Sequence, residues 1–281
     1  MANDSSQPAV VMLVLFLGDI VGRPGFAAVK MHLPSIRMDR GIDFVVVNAE
    51  NAADGSGLTA RQFKGLVDAG VNAITMGDHV YKKMELKEIL EHDPRIVKPA
   101  NYPASSPGRP WTMLRSTPAR KSQPVIDVAV VSLLGRVYMR PVDCPFAAID
   151  RVMNEIPPSV KVRIVDIHAE ATSDKQLMGF HLDGRVSAVL GTHTHVPTAD
   201  AKLLPGGTAY QTDVGMTGPY DSVIGRDVQR VMITTLSFEP CHFHVATGDV
   251  RICGALVDID TKTGLATAIE RFEHRVAGEG T

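Results

Sequence analysis

The stretch Val11-Met12-Leu13-Val14-Leu15-Phe16-Leu17-Gly18-Asp19 decides the fold: seven apolar residues without a polar break, then a glycine and an aspartate. A strand covered on both faces requires such a continuous run, whereas a strand with one wet face alternates. Working outward, Pro24 opens a helical stretch that closes near Gly41, and Phe44–Val47 is a second apolar strand. Thr59 caps a helix over Ala60–Ala69, Ala73–Met76 is a third strand, and Met84–Glu91 is a further helix. Val125–Leu134, Val162–Ile167 and Val186–Leu190 read as strands, with helices at Phe146–Glu155 and between the last two. The end of the chain changes character. Val231–Phe238, Phe243–Ala246 and Val250–Ile259 read as consecutive strands, followed by a turn and a last strand near Leu265–Phe272. The pattern predicts an α/β core with a more antiparallel C-terminal part. It forms a single domain over residues 1–281, with a flexible N-terminus at 1–10 and a long loop or small insertion at 104–124.

The bulk properties narrow the class. The chain has 281 residues, is 44% hydrophobic and 21% charged, and carries a formal net charge of −2, the balance of a globular protein with no basic surplus for general nucleic-acid binding. Cys144, Cys241 and Cys253 are odd in number and form no CxxC pair, which predicts a reducing cytoplasm and no disulfide framework. The N-terminal apolar run lacks the preceding Lys or Arg of a signal peptide and is too short to span a bilayer.

Acidic residues and histidines stand where the predicted strands run out. Asp19 follows the first, Glu50 and Asn51 the second, Asp78 and His79 the third; His168 ends Val165-Asp166-Ile167-His168, and His193 and His195 follow the next. Open α/β sheets build their sites outside the carboxyl ends of their strands, so these groups converge on one edge. Mixed carboxylates and imidazoles suit iron, manganese or zinc better than calcium or magnesium alone. Two such ions roughly 3.5–4 Å apart, bridged by a carboxylate such as Glu50, clamp a phosphoryl group for in-line attack by hydroxide. Gly18, Gly77 and Gly191 precede the ligand groups and permit close backbone approach. Taken singly, Asp19 reads as a helix cap, Glu50-Asn51 as loop polarity and His168 as a structural histidine; the pair His193/His195 is stronger, because i and i+2 share a face on extended backbone. Cys241-His242-Phe243-His244 is a rival cluster without acidic neighbours. Joint placement at five strand ends favours the first constellation.

At these residues the chain resembles the calcineurin-like metallophosphoesterase superfamily, and within it the bacterial YmdB-type branch. The resemblance rests on FLGDIVGRPG (16–25), VVNAENAADGSGLT (46–59), ITMGDHVY (74–81), KPANYP (98–103), VDIHAEATSDK (165–175), VLGTHTHVPTAD (189–200) and LPGGTAYQTDVGMTGPYDSVIG (204–225). It implies a four-layer α/β/β/α sandwich with two metal ions per chain, iron or manganese. Asp19, Asn51 and His195 would hold one, Asp78, His168 and His193 the other, with Glu50 bridging and His79 donating a proton to the leaving oxygen. The implied reaction is metal-bridged hydroxide attack on phosphodiesters, including 2′,3′- and 3′,5′-cyclic nucleotides, by a homo-oligomer. Two readings stay open beside it: a phosphomonoesterase or nucleotidase with the same site, and a metal-bound regulator that senses nucleotide or RNA without turnover. Arg136, Arg140 and Arg226 are candidates for holding phosphate oxygens by charge and placement.

The chain departs from the family pattern at position 78, where Asp stands in place of Asn. A third carboxylate makes the site less positive, so it withdraws less charge from bound water, whose pKa rises. Asp78→Asn is therefore expected to keep two metals and to move the acidic limb of the pH–rate profile, followed with an activated diester, to lower pH. An unmoved limb at unchanged metal content would contradict this.

Overall fold

The computed structural model describes residues 10–120 and 123–276. β1 (Val11–Leu17) and the short β2 (Asp19–Ile20) precede α1 (Gly22–Arg40), β3 (Phe44–Asn48), α2 (Ala60–Asp68), β4 (Ala73–Thr75), α3 (Leu86–His92) and β5 (Ile96–Val97). β6 (Trp111–Arg115) and β7 (Asp127–Leu134) lead to α4 (Pro145–Glu155), β8 (Val162–His168), α5 (Thr172–Leu182) and β9 (Ala188–Thr192). The chain continues through β10 (Lys202–Leu203), β11 (Ala209–Gln211), β12 (Met216–Pro219), α6 (Val228–Ser237), β13 (Val250–Asp260) and β14 (Ala266–Arg275).

These strands make two sheets. One runs β2-β12-β13-β1-β3-β4-β5, with β14 also paired to β13; the other runs β10-β11-β9-β8-β7-β6. β1, β3, β4 and β5 are mutually parallel, as are β7, β8, β9 and β11. The period of two along β1 assigns the layers. Val14 and Phe16 point into a core shared with Val130, Ile164 and Leu190 of the other sheet. Leu15 and Leu17 point the opposite way, against Val29 and Leu33 of α1. On the far side Val131, Val165 and Val189 meet Ile149 of α4 and Met178 of α5. The result is the expected α/β/β/α sandwich, and β1 is apolar throughout because helix covers one face and sheet the other.

The helix signals mostly hold. Gly41 ends α1 in the left-handed conformation at φ 68°, its N–H donating to Arg37 O and Met38 O. Thr59 and Gln62 form a reciprocal capping box on α2. The segment 104–124, expected as a long loop or small insertion, contains a strand: Trp111–Arg115 forms β6, antiparallel to β7. Two strand expectations fail. Val231–Phe238 is no strand but lies almost wholly in α6, whose Asp227 side chain accepts from Arg230 N and whose C-cap Phe238 is left-handed. Phe243–Ala246 is no regular strand either, and only an isolated bridge joins Val245 to Arg226. β-branched residues make the α6 sequence read as a strand, but the Asp227 cap starts a helix. No residue of α6 is buried. The expected flexible segment 1–10 lies outside the described residues except for Val10. Among the described residues no helix is long and apolar enough to cross a membrane.

Candidate active site

The parallel strands of both sheets bring their carboxyl ends to one edge. Asp19 and Glu50 are fully buried there, as is His168, the last residue of β8. Glu50 Oε1 lies 3.3 Å from His168 Nε2, and Asp78 Oδ1 lies 3.4 Å from the same nitrogen. His193 Nδ1 is 3.1 Å from His168 Nε2 and 3.8 Å from Asp78 Oδ1. One ligand atom from each of Glu50, Asp78, His168 and His193 falls within 4.8 Å of every other. A second group adjoins it. Asp19 Oδ1 lies 3.7 Å from His195 Nε2, and Asn51 Nδ2 lies 3.3 Å from Asp19 Oδ1, Glu50 Oε1 and His195 Nε2. Asn51 turns its amide nitrogen to this point and its oxygen to His79. Glu50 thus belongs to both groups.

Each histidine is oriented by its other nitrogen. Thr192 Oγ1 gives its single proton to Asp166 Oδ1 at 2.7 Å, so it accepts from His168 Nδ1 at 2.8 Å. That turns Nε2 of His168 toward Glu50 and Asp78. His195 Nδ1 donates to Ile224 O at 2.9 Å, and His193 Nε2 faces Glu170 Oε2 at 3.3 Å. An imidazole whose outer nitrogen is tied to an acceptor is in the form a metal requires. Asp166 is itself buried, and burial raises its carboxyl to about 6 against the charge of His168 and the bonds from Thr75, Thr192 and Asn48.

The inner cluster asks for positive charge. Burial opposes ionisation of Asp19, but the hydrogen bond and charge of His195, with His168 behind, hold it at about 2. Burial would keep His168 neutral, yet the charge of Glu50 and contacts with Asp78 and Glu50 raise its pKa well above the usual histidine value. His193 goes the other way, lowered by burial and by the charge of His168. Asp78 Oδ1 is buried and has no hydrogen-bond partner. Buried carboxylates that hold protons on their histidines would hold a cation in the same place, and this donor set fits a transition metal.

Local backbone explains the tight convergence. A Cβ on Gly77 would stand 2.3 Å from His168 Cδ2 and 2.4 Å from Glu50 Oε2, and one on Gly191 would stand 1.7 Å from Thr212 O. His193 and His195 adopt φ of 99° and 66°, which costs energy for non-glycine residues. Asp213 holds that segment, accepting from Thr194 N at 3.0 Å, Thr194 Oγ1 at 2.7 Å and the buried Lys175 Nζ at 2.7 Å.

All eight residues expected from sequence meet here. His79 sits beside the cluster, its Nδ1 donating to Asn51 Oδ1 at 2.7 Å and lying 3.2 Å from Glu50 Oε1. Burial lowers the His79 pKa, but the bond and charge of Glu50 and the charge of Asp78 outweigh this and raise it. A cavity of about 280 Å³ opens over Glu50, Asn51, His79, His193, His195 and Arg226. Arg226 lines this cavity, but Arg136 and Arg140 do not. Of the rival Cys241–His244 segment, His242, Phe243 and His244 line a different cleft. Sequence reading missed the supporting groups Asp166, Thr192, Glu170, Asp213 and Lys175. Asp166 and Thr192 were visible only as polar residues inside apolar strands.

With the site's geometry established, comparison with known proteins defines its class. The YmdB-like protein family model matches residues 15–272, and the chain belongs to that family. It is 42% identical over 261 residues to the 2′,3′-cyclic-nucleotide 2′-phosphodiesterase of Bacillus subtilis, covering 93% of this chain and 96% of that protein. Among solved structures, a hypothetical protein from Thermus thermophilus superposes with a TM-score of 0.85 at 41% identity, covering 94% of this chain and 99% of the other. A novel phosphatase from Mycoplasma pneumoniae gives 0.86 at 30% identity, covering 95% of each.

Thr192→Val removes the acceptor that fixes His168 while keeping its shape. Manganese affinity, measured calorimetrically, is expected to fall about 10–100-fold. Unchanged affinity would show that Thr192 does not orient the ring.

Proposed function

We propose that this chain is a metal-dependent phosphodiesterase acting on 2′,3′-cyclic nucleotides, with two cations held around Glu50. The observation that carries the reading is the meeting of Glu50, Asp78, His168 and His193 at one point, with Asp78 Oδ1 buried and unpartnered. The name of the Bacillus subtilis relative supports the substrate class. Asp19, Asn51 and His195 would complete one cation site with Glu50, and Asp78, His168 and His193 the other. Iron or manganese suits such donors. When bound, the pair supplies Lewis acidity towards a phosphoryl group and lowers the pKa of water.

The chain's own groups do the rest. Asn51 and Glu50 tie down His79 Nδ1, so Nε2 is the nitrogen left to give a proton to the leaving 2′-oxygen. Val21 and Ile224 add apolar wall to the same cavity, suited to a ribose or base edge. Arg226 fixes the rim by donating to Asp54 O at 3.0 Å and Gly55 O at 2.6 Å. The exposed apolar face of α6, with Met232, Ile233 and Leu236 uncovered, supports a homo-oligomer in which a second copy of this chain covers it.

Manganese-loaded protein is expected to convert 2′,3′-cyclic nucleotides to 3′-nucleotides. Turnover of monoesters alone would replace this reading with a phosphomonoesterase, and no turnover at full loading would favour a non-catalytic regulator. His79→Ala should keep its metals and lose roughly 10²–10⁴-fold in rate on cyclic nucleotides. The loss should be far smaller with a nitrophenyl diester, whose leaving group needs no proton. Equal losses on both would remove His79 from the acid role.

A further inference from the structure

A second cleft, of about 780 Å³, lies between α1 and α2. Arg23 and Lys30 of α1, Arg61 of α2 and Lys83 line it, against a single acid, Asp54. None of these four cations has an ion pair or side-chain hydrogen bond among the described residues. The chain as a whole carries a formal net charge of −2, so this is a local concentration of unpaired positive charge. Arg23 and Lys30 stand two helical turns apart, about 10 Å along α1. Phe26 and Met31, the latter 70% exposed, put apolar surface between the charges. Cations spaced along an apolar floor suit a chain of phosphates with bases attached better than a lone anion.

The cleft and the catalytic cavity are lined by neighbouring residues of the same two segments. Asp54 lines the cleft and Gly55 lines the cavity, and Arg226 holds the carbonyls of both. On the facing segment Val21 lines the cavity and Arg23 the cleft. A 2′,3′-cyclic phosphate uses the 2′- and 3′-oxygens of its ribose, so only the 5′-oxygen continues a strand. A strand ending in that group therefore has every other phosphate on its 5′ side. Such ends arise when a ribose 2′-oxygen attacks the adjacent phosphodiester: the P–O2′ bond forms, the P–O5′ bond breaks, and the departing 5′-oxygen takes the proton.

We infer that the α1–α2 cleft is a subsite for the upstream phosphates of an oligoribonucleotide whose 3′ end carries a 2′,3′-cyclic phosphate. The inference rests on the phosphodiesterase reading for the fate of that end. Water adds across P–O2′, the 2′-oxygen takes a proton and a 3′-phosphomonoester remains. The reaction that must supply the substrate is RNA strand cleavage by internal transesterification.

The test uses the full manganese-loaded chain with a five-nucleotide RNA ending in the cyclic phosphate, beside the cyclic mononucleotide. The kcat/KM of the pentamer should exceed that of the mononucleotide by about tenfold or more. Binding of a fluorescein-labelled pentamer ending in 3′-phosphate should weaken with salt, with a log–log slope of about −0.7 for each phosphate contacted. In R23Q/K30Q/R61Q/K83Q the kcat/KM ratio should fall to about one and the salt slope should flatten. Equal kcat/KM for the two substrates in the unaltered protein overturns the inference, as does an advantage that survives the four substitutions. If neither substrate is turned over, the phosphodiesterase reading fails, and the labelled RNA decides the cleft separately: salt-sensitive binding lost in the variant sustains it, and no binding overturns it.

Discussion

Glu50 and Asp19 are carboxylates without solvent exposure, set among imidazoles whose inner nitrogens face them. Burying such charge is costly unless it is compensated in place. Much of the surrounding structure serves this cluster. Two mixed sheets meet so that the parallel strands β1, β3, β4, β8 and β9 discharge their ligand groups along one edge. Gly77 lets the β4 turn pass against His168 and Glu50 without a side chain between them. Asp213, backed by Lys175, holds the strained His193–His195 segment against the same centre.

The supporting groups control chemistry as well as shape. The relay Asp166–Thr192–His168 fixes which ring nitrogen bears the proton. Ile224 O does the same for His195, and Glu170 for His193. Each of the three rings therefore turns one nitrogen outward to an acceptor and the other toward the cluster, where a cation would replace its proton. Asn51 and Glu50 anchor His79 through Nδ1.

Much of this was legible in the sequence for a physical reason. A doubly covered strand leaves a continuous apolar run, and a ligand at its end interrupts that run with a glycine, an acid or a histidine; the expected site residues carried this mark, Asn51 only by standing next to Glu50. The layer order followed from the resemblance and is explained by opposite faces of β1 packing on helix and sheet. What stayed hidden is long-range or against local propensity. Asp213 and Lys175 come from segments far apart in sequence, and only the fold brings them together under Thr194. The β-branched α6 reads as a strand, and its helical state depends on the Asp227 cap. β6 lay within a Pro-, Ser- and Arg-rich stretch whose composition masked five residues of pairing with β7.

The central claim is that Glu50 serves two cation sites at once. Calorimetric titration of metal-stripped protein with manganese tests it directly, comparing the unaltered chain with Glu50→Gln. The account predicts two ions per chain in the first, and weakening of both binding events by the substitution. A variant that binds one ion as tightly as before, and loses only the other, would contradict it.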